Sequence, residues 1–378
     1  MNLVIFGLSI SSSWGNGHAT LWRGLLRALA ARGHRIVFFE RDQPYYALHR
    51  DLWEPAYAEL RLYPGWAAIR EEAARETRAA DVVIVTSFCA DGIAATDLLC
   101  AERKPLRVFY DLDTPVTLEK LGRGERVDHI GPRGLRDFDL ALSFTGGETL
   151  RWMQRRLLAP AVEVLYGSVD PEVHKPVAPS GKYSCDLSYL GTYAEDRQEA
   201  LEQLFLEPAR RLAEKRFLLG GALYPANFPW TDNIYFVRHV PPTEHAEFYC
   251  SSRMTLNVTR GAMASAGFCP SGRLFEAAAC GVPILTDWWN GLDHFFQPGK
   301  EILVAGTAAE AVAAMRQSPE SLAGVGTAAR ARVLAEHTAE RRAEELEFIL
   351  RRAREAAPRL RRGLAASGVE WHEAAARG

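Results

Sequence analysis

Along the chain, short runs of β-branched and aromatic residues alternate with longer stretches of helical spacing. Residues 3–8 form the first apolar run, continuous enough for a strand buried on both faces of a parallel sheet. A Ser- and Gly-rich loop follows, and then Leu21, Leu25, Leu26 and Leu29 recur at helical intervals up to Gly33. A second apolar run at 34–40 completes a strand–loop–helix–strand unit, the opening of a doubly wound sheet. The fingerprint G-x-G-x-x-G is absent, because Gly15 and Gly17 lead into His, Ala and Thr, so this is not a dinucleotide loop. Further strands are predicted at 80–87, 107–110, 139–144 and 162–165.

Residues 166–179 carry Gly167, Pro171, Pro176 and Pro179 with no periodicity, which predicts a linker. A second strand–loop–helix begins at Asp186, turns at Gly191 and Thr192, and places Arg197 near a helix start. Strands are predicted at 216–220, 234–240 and 254–258. The stretch 269–305 then reads as loop, helix, turn, strand and loop. Pro270, Ser271 and Gly272 open its helix, and Gly281 with Pro283 ends it. From 308 to 357 the chain is nearly unbroken helix former, with breaks predicted at Pro319 and at Gly324 to Gly326. The expected fold is α/β, with Rossmann-like domains at 1–165 and 170–325 and a helical segment at 326–362 returning to the first.

Composition narrows the class. The 378 residues are 48% hydrophobic and 24% charged, with a formal net charge of −2, which gives no reason for general nucleic-acid binding. No apolar run approaches the roughly 20 residues of a membrane span, and the first residues read as a strand and not as a signal peptide. The six cysteines include no C-x-x-C pair, as expected of reduced core residues in a cytoplasmic protein. The oligomeric state is left open.

Candidate chemistry begins at the helix opened by Gly272. Its unpaired N–H groups and positive dipole end suit a phosphate or diphosphate. Glu276 stands about one turn further in, where a carboxylate can accept from two vicinal ribose hydroxyls. The spacing suggests a nucleoside diphosphate lying along one helix.

The runs R-L-F-E-A-A-A-C-G-V-P and P-G-K-E-I-L-V resemble the donor-site signature of GT-B glycosyltransferases, most closely the CgeB-like, spore-maturation-type group. The resemblance implies two Rossmann-like domains facing across a cleft, a C-terminal helix crossing back, and transfer of a sugar from a nucleotide-diphosphate sugar, a UDP-sugar taken first, to an acceptor it does not identify. It assigns ribose binding to Glu276. The other glutamate of the retaining families would fall at Phe268, which cannot act as one, so retention or inversion stays open.

The resemblance also places residues around the cleft. The diphosphate falls to Ser271, Gly272 and Arg273, with Gly191, Thr192 and Arg197 approaching it and Arg260 at the end of the strand before. The nucleobase falls near His239 and Val240. Gly15, Asn16, Gly17 and His18 form the loop beside sugar and acceptor, and Gly146 with Gly147 forms another cleft loop. His18 reads as a general base, as a donor to the sugar or phosphate, or as a plain helix-start residue. Asp111 and Asp113 follow a strand end and read as catalytic cleft residues that contact the acceptor, next candidates for the base after His18, while their D-x-D spacing also fits the metal-chelating pair of GT-A enzymes. No metal and no cofactor is expected, since the helix dipole and arginine supply positive charge. Two other functions fit the same fold: a nucleotide-sugar epimerase, and a catalytically silent nucleotide-sugar-binding protein.

Overall fold

The computed structural model describes residues 1–366. Strands β1 (Asn2–Gly7), β2 (Arg35–Arg41), β3 (Glu59–Tyr63), β4 (Val82–Thr86), β5 (Leu106–Asp111), β6 (Leu140–Ser143) and β7 (Val162–Val164) form one sheet in the order β3-β2-β1-β4-β5-β6-β7. Strands β8 (Leu187–Leu190), β9 (Phe217–Gly220), β10 (Ile234–Val237), β11 (Thr255–Asn257), β12 (Ile284–Thr286) and β13 (Leu303–Val304) form the other, ordered β10-β9-β8-β11-β12-β13. Every strand pair in both sheets is parallel. Each order reverses beside its first strand, and ligands bind such sheets at the strand C-termini near that switch point.

Side-chain alternation fills both faces of the first sheet. Leu3 and Ile5 join one core with Trp22, Leu25 and Leu26 of the Gly17–Ala31 helix. Val4 and Phe6 join the opposite core with Phe39, Val83 and Val85. Phe6 stacks on Phe39 with centroids 4.9 Å apart. Continuous apolar runs therefore become central strands. The β3 run E-L-R-L-Y was not anticipated, because it is a half-exposed edge strand whose Glu59 and Arg61 face each other at 2.7 Å.

The helical segment after β13 departs from expectation. Pro319 does open a helix, but Pro319–Glu336 runs straight through Gly324 and Gly326. A Cβ at Gly326 would fall 2.3 Å from the Gly281 carbonyl oxygen, so that glycine permits a close helix contact. The break comes at His337 and Thr338 instead. There Val169 of the linker donates to the His337 carbonyl at 2.9 Å and accepts from Ala339 N–H at 2.8 Å. The chain crosses back at this point, and the Ala339–Ala366 helix buries Ala343, Leu346 and Leu350 in the core of the first sheet. Glu347 of this helix binds Arg32 at 2.7 Å and His34 at 2.8 Å.

Candidate active site

A cavity of about 600 Å³ opens between the C-terminal ends of the two sheets. Of the residues singled out in the sequence, all but Asp111, Gly146 and Gly147 line it.

The wall from the first sheet is the loop after β1. Glu40, at the end of β2 and fully buried, anchors it by accepting from the Ser9 hydroxyl at 2.8 Å and the Ile10 and Ser11 N–H groups at 2.7 and 3.0 Å. Asn16 Nδ2 donates to the Ser9 and Ser12 carbonyls, and its Oδ1 accepts from His18 N–H at 3.1 Å. Asn16 is thus a cap that fixes the loop and aims His18. The His18 Nε2 lies 2.6 Å from Asp113 Oδ2, a charge-assisted distance. The other ring nitrogen, Nδ1, has no partner among the described residues. Burial pushes the Asp113 carboxyl up, but His18, by charge and hydrogen bond, and Arg260 bring it below the usual value.

Asp111 occupies a different place from its sequence neighbour. It is fully buried behind the cavity wall, and its Oδ1 accepts from Asp113 N–H at 2.9 Å. Burial, with the Asp113 charge beside it, pushes its carboxyl up to about 6. Asp111 shapes the turn that presents Asp113 and does not reach the cleft, so the two aspartates do not jointly face a cation there.

The opposite wall is the Gly272–Ala279 helix. Leu274, Phe275, Ala277 and Ala278 are buried, and the remaining face turns Arg273 and Glu276 to the cavity. Ser271 is the N-cap residue and makes no side-chain capping bond. A Cβ at Gly272 would meet nothing within 4 Å, so a ligand can approach the backbone there. Arg273 donates to Asn257 Oδ1 at 3.2 Å, and Arg197 donates to the Thr192 carbonyl at 3.1 Å. Neither guanidinium forms an ion pair among the described residues. Burial, with Arg273 and Arg260 nearby, lowers the pKa of Arg197 below its ordinary value. Unlike these two, Arg260 is paired, with Asp196 at 3.4 Å.

The loop after β8 comes close because of Gly221. Its φ is +147°, and a Cβ there would fall 2.0 Å from the Gly191 carbonyl oxygen. Gly191 in turn leaves room for Arg273, whose Nη2 lies 3.0 Å from where a Cβ would stand. At the mouth, His239 packs against Trp14 of the first domain with centroids 4.4 Å apart, and Trp14 stacks on His49. The Val240 carbonyl accepts from His245 Nε2 at 3.1 Å.

Glu276 is the most elaborately surrounded group. The Tyr249 hydroxyl donates to Oε2 at 3.3 Å. His174 Nε2 stands 4.0 Å from Oε1 and His245 Nδ1 stands 3.9 Å from Oε2. Burial raises its pKa, and the His174, His245 and Arg273 charges outweigh that and lower it.

Gly146 and Gly147 belong to the seam between the domains, not to the cavity. Gly146 N–H donates to the Phe268 carbonyl at 3.0 Å. A Cβ at Gly147 would fall 2.9 Å from the Phe268 ring, and one at Gly291 would fall 2.6 Å from it. Phe268, itself at φ +46°, is wedged between the two glycines. The seam needs flat backbone there, which the predicted cleft loop did not foresee. Sequence reasoning also missed Glu40, His174 and His245. A lone acid at a strand end and histidines in a linker and a helix start carry no local pattern that would have singled them out.

The two sheet orders, the cleft at their C-terminal edges and the returning helix define a GT-B fold. Residues 197–348 match the sequence profile of a family described as glycosyl transferase-like. Among solved structures the chain is similar to sucrose-phosphate synthase from Thermosynechococcus elongatus, at 15% identity and a TM-score of 0.68, covering 94% of this chain and 100% of that one. It is similar to an alpha-glucosyltransferase solved in complex with UDP, at 12% identity and a TM-score of 0.67, covering 93% and 99%. Anabaena HepE, solved with UDP, gives 12% identity, a TM-score of 0.65 and the same coverage. A comparison with curated protein sequences returned no match. No helix among the described residues is long and apolar enough to cross a membrane.

Proposed function

We propose that the protein transfers a hexosyl group from a nucleotide-diphosphate sugar, with UDP as the first candidate nucleotide, to an acceptor hydroxyl without needing a metal ion. One observation carries this reading. Two arginines without carboxylate partners among the described residues, Arg197 and Arg273, line the cavity with the open start of the Gly272–Ala279 helix, one turn from Glu276. A diphosphate satisfies both cations and the helix N–H groups at once, while Glu276 accepts from the ribose hydroxyls. The neighbours solved with UDP support the choice of nucleotide, and residues 269–305 support assignment to the CgeB-like group.

In this reading the bond from the anomeric carbon to the diphosphate oxygen breaks as the bond to the acceptor oxygen forms. The diphosphate leaves with the bonding electron pair, and Arg197, Arg273 and the helix start stabilise its growing charge. His18 takes the acceptor's proton on Nδ1, which is buried and unpartnered among the described residues and meets the acceptor once the ring turns toward the cavity. Its Nε2–H is held by Asp113, whose carboxylate stabilises the imidazolium that results. The dyad favours transfer over silent binding, which needs no paired base beside the sugar; epimerisation, which also moves a proton, is told apart by whether release of the nucleotide requires an acceptor. The first domain, at 1–165, then serves the acceptor and the second, at 170–325, the donor. The cysteines, all free, fit a reducing cytoplasm.

The test is a screen of UDP-, GDP-, ADP- and TDP-sugars for enzyme-dependent release of nucleoside diphosphate in EDTA. Release from one nucleotide series, lost in His18→Ala while that nucleotide still binds, supports transfer. Binding without release from any sugar, with a range of acceptors present, points to the silent binding protein.

A further inference from the structure

His174 lies in the connection between β7 and β8. It is 3% exposed, and neither ring nitrogen has a hydrogen-bond partner among the described residues. Burying such groups unpaired is costly. Its Nε2 faces Glu276 Oε1 at 4.0 Å. From the other side His245 Nδ1, also unpartnered, faces Oε2 at 3.9 Å. The His245 tautomer is settled by its neighbour. Nε2 lies 3.1 Å from the Val240 carbonyl, which can only accept, so in the neutral ring the hydrogen sits on Nε2 and Nδ1 presents a lone pair. A lone pair turned to a carboxylate at this distance is too far for a hydrogen bond. It is also of the wrong sign, unless positive charge lies between them.

The ligating atoms of His174, His245 and Glu276 all lie within 4.8 Å of one another. Zinc bonds of about 2.0–2.1 Å place tetrahedral ligands roughly 3.3–3.4 Å apart, so modest side-chain rotations bring these three onto one ion. The carbonyl on the far nitrogen of His245 is the kind of partner that fixes a ligating imidazole. Two imidazoles and one carboxylate suit zinc-class ions and not Mg²⁺ or Ca²⁺, which take oxygen ligands.

We infer that His174, His245 and Glu276 form a binding site for a divalent transition-metal ion of the zinc class, open to the cavity at its fourth position, and that the bound ion competes with the nucleotide for Glu276. The competition rests on the proposed ribose role of Glu276; the metal site itself does not. The ion is an antagonist of donor binding and takes no part in transfer.

The test uses the full chain and the metal alone. Calorimetry with Zn²⁺ should find one ion per chain, bound at least about 10-fold more weakly by His174→Gln and by His245→Gln. Circular dichroism melts confirm that both variants fold. Co²⁺ should give the visible bands of a tetrahedral site, absent in either variant. Equal zinc affinity in wild type and both variants overturns the site. So does a thiolate-to-cobalt charge-transfer band, which puts the metal on cysteine. Saturating Zn²⁺ should raise the apparent Kd for UDP in wild type and not in His174→Gln, and UDP should weaken zinc reciprocally. An unchanged Kd overturns the competition. Glu276→Gln titrated with UDP in EDTA tests the ribose role by itself, so the two failures are told apart.

Discussion

Replacing Asp113 by Asn probes the dyad with little change of shape. The amide oxygen can still accept from His18 Nε2, now 2.6 Å from Asp113 Oδ2, so the ring stays aimed and only the charge is lost. Two unit charges about 4 Å apart at an effective dielectric of about 20 interact by about 4 kcal/mol. The side chains are 14% and 22% exposed, so some screening applies, and about 2–4 kcal/mol is the working range. If His18 becomes imidazolium in the transition state, that is a fall of roughly 30- to 1000-fold in kcat. UDP affinity should stay within about 2-fold, because the diphosphate and ribose contacts lie on the other domain. His18→Ala should lose roughly 100- to 10,000-fold, and the double variant should lose little more than His18→Ala alone, since the pair acts as a unit. The assay is single-turnover transfer with donor Kd measured on the same preparations. An unchanged rate in Asp113→Asn refutes the dyad. So does a rate loss matched by an equal loss of UDP affinity, which would make His18 and Asp113 donor ligands.

Glu276→Gln should weaken UDP about 10- to 150-fold, the worth of hydrogen bonds to a charged acceptor of about 1.5–3 kcal/mol; calorimetry in EDTA checks it, and an unchanged Kd removes the ribose role. Transfer should persist or rise in EDTA, whereas full loss restored by Mn²⁺ would contradict the metal-free reading. Asp111 titrates at about 6 in the fold against a reference of 3.8, so the folded state holds the proton more tightly. Its penalty is absent at low pH, grows as pH rises from 3.8 and is complete above 6. By linkage at about 1.36 kcal/mol per unit, Asp111→Asn should therefore stabilise the protein by up to about 3 kcal/mol at pH 7.5 and by almost nothing at pH 3.5. Denaturant melts at the two pH values decide it, and equal shifts at both would show that the raised pKa is not the cause.

The fold was legible wherever burial is two-sided. Residues 3–6 of β1 are all apolar because both faces of that strand meet a core. Edge strand β3 hid because its exposed face is charged, and the crossing at His337 and Thr338 hid because no Gly or Pro marks it. The half of the site proposed to hold the donor was readable because Gly272, Arg273 and Glu276 keep helical register within one short segment. The opposite half, proposed to serve the acceptor, was readable only as separate parts. His18 and Asp113 each follow a strand end, but they stand 95 residues apart in sequence, and their pairing exists only once β1 and β5 lie in one sheet. His174 was out of reach altogether. It sits in a Pro-punctuated linker, and only the folding of that linker over the Gly272–Ala279 helix brings it to Glu276.

The central claim is that a diphosphate rests on Arg197, Arg273 and the start of the Gly272–Ala279 helix. The most direct test is the ratio of UDP to UMP affinity, measured by calorimetry in EDTA for wild type and Arg273→Met. The β-phosphate should strengthen wild-type binding by about 1.5–3 kcal/mol, the worth of charged hydrogen bonds, which is roughly 10- to 150-fold. In Arg273→Met most of that preference should vanish while UMP affinity changes little. A wild type that binds UMP as tightly as UDP, or a variant that keeps the full preference, would contradict the account.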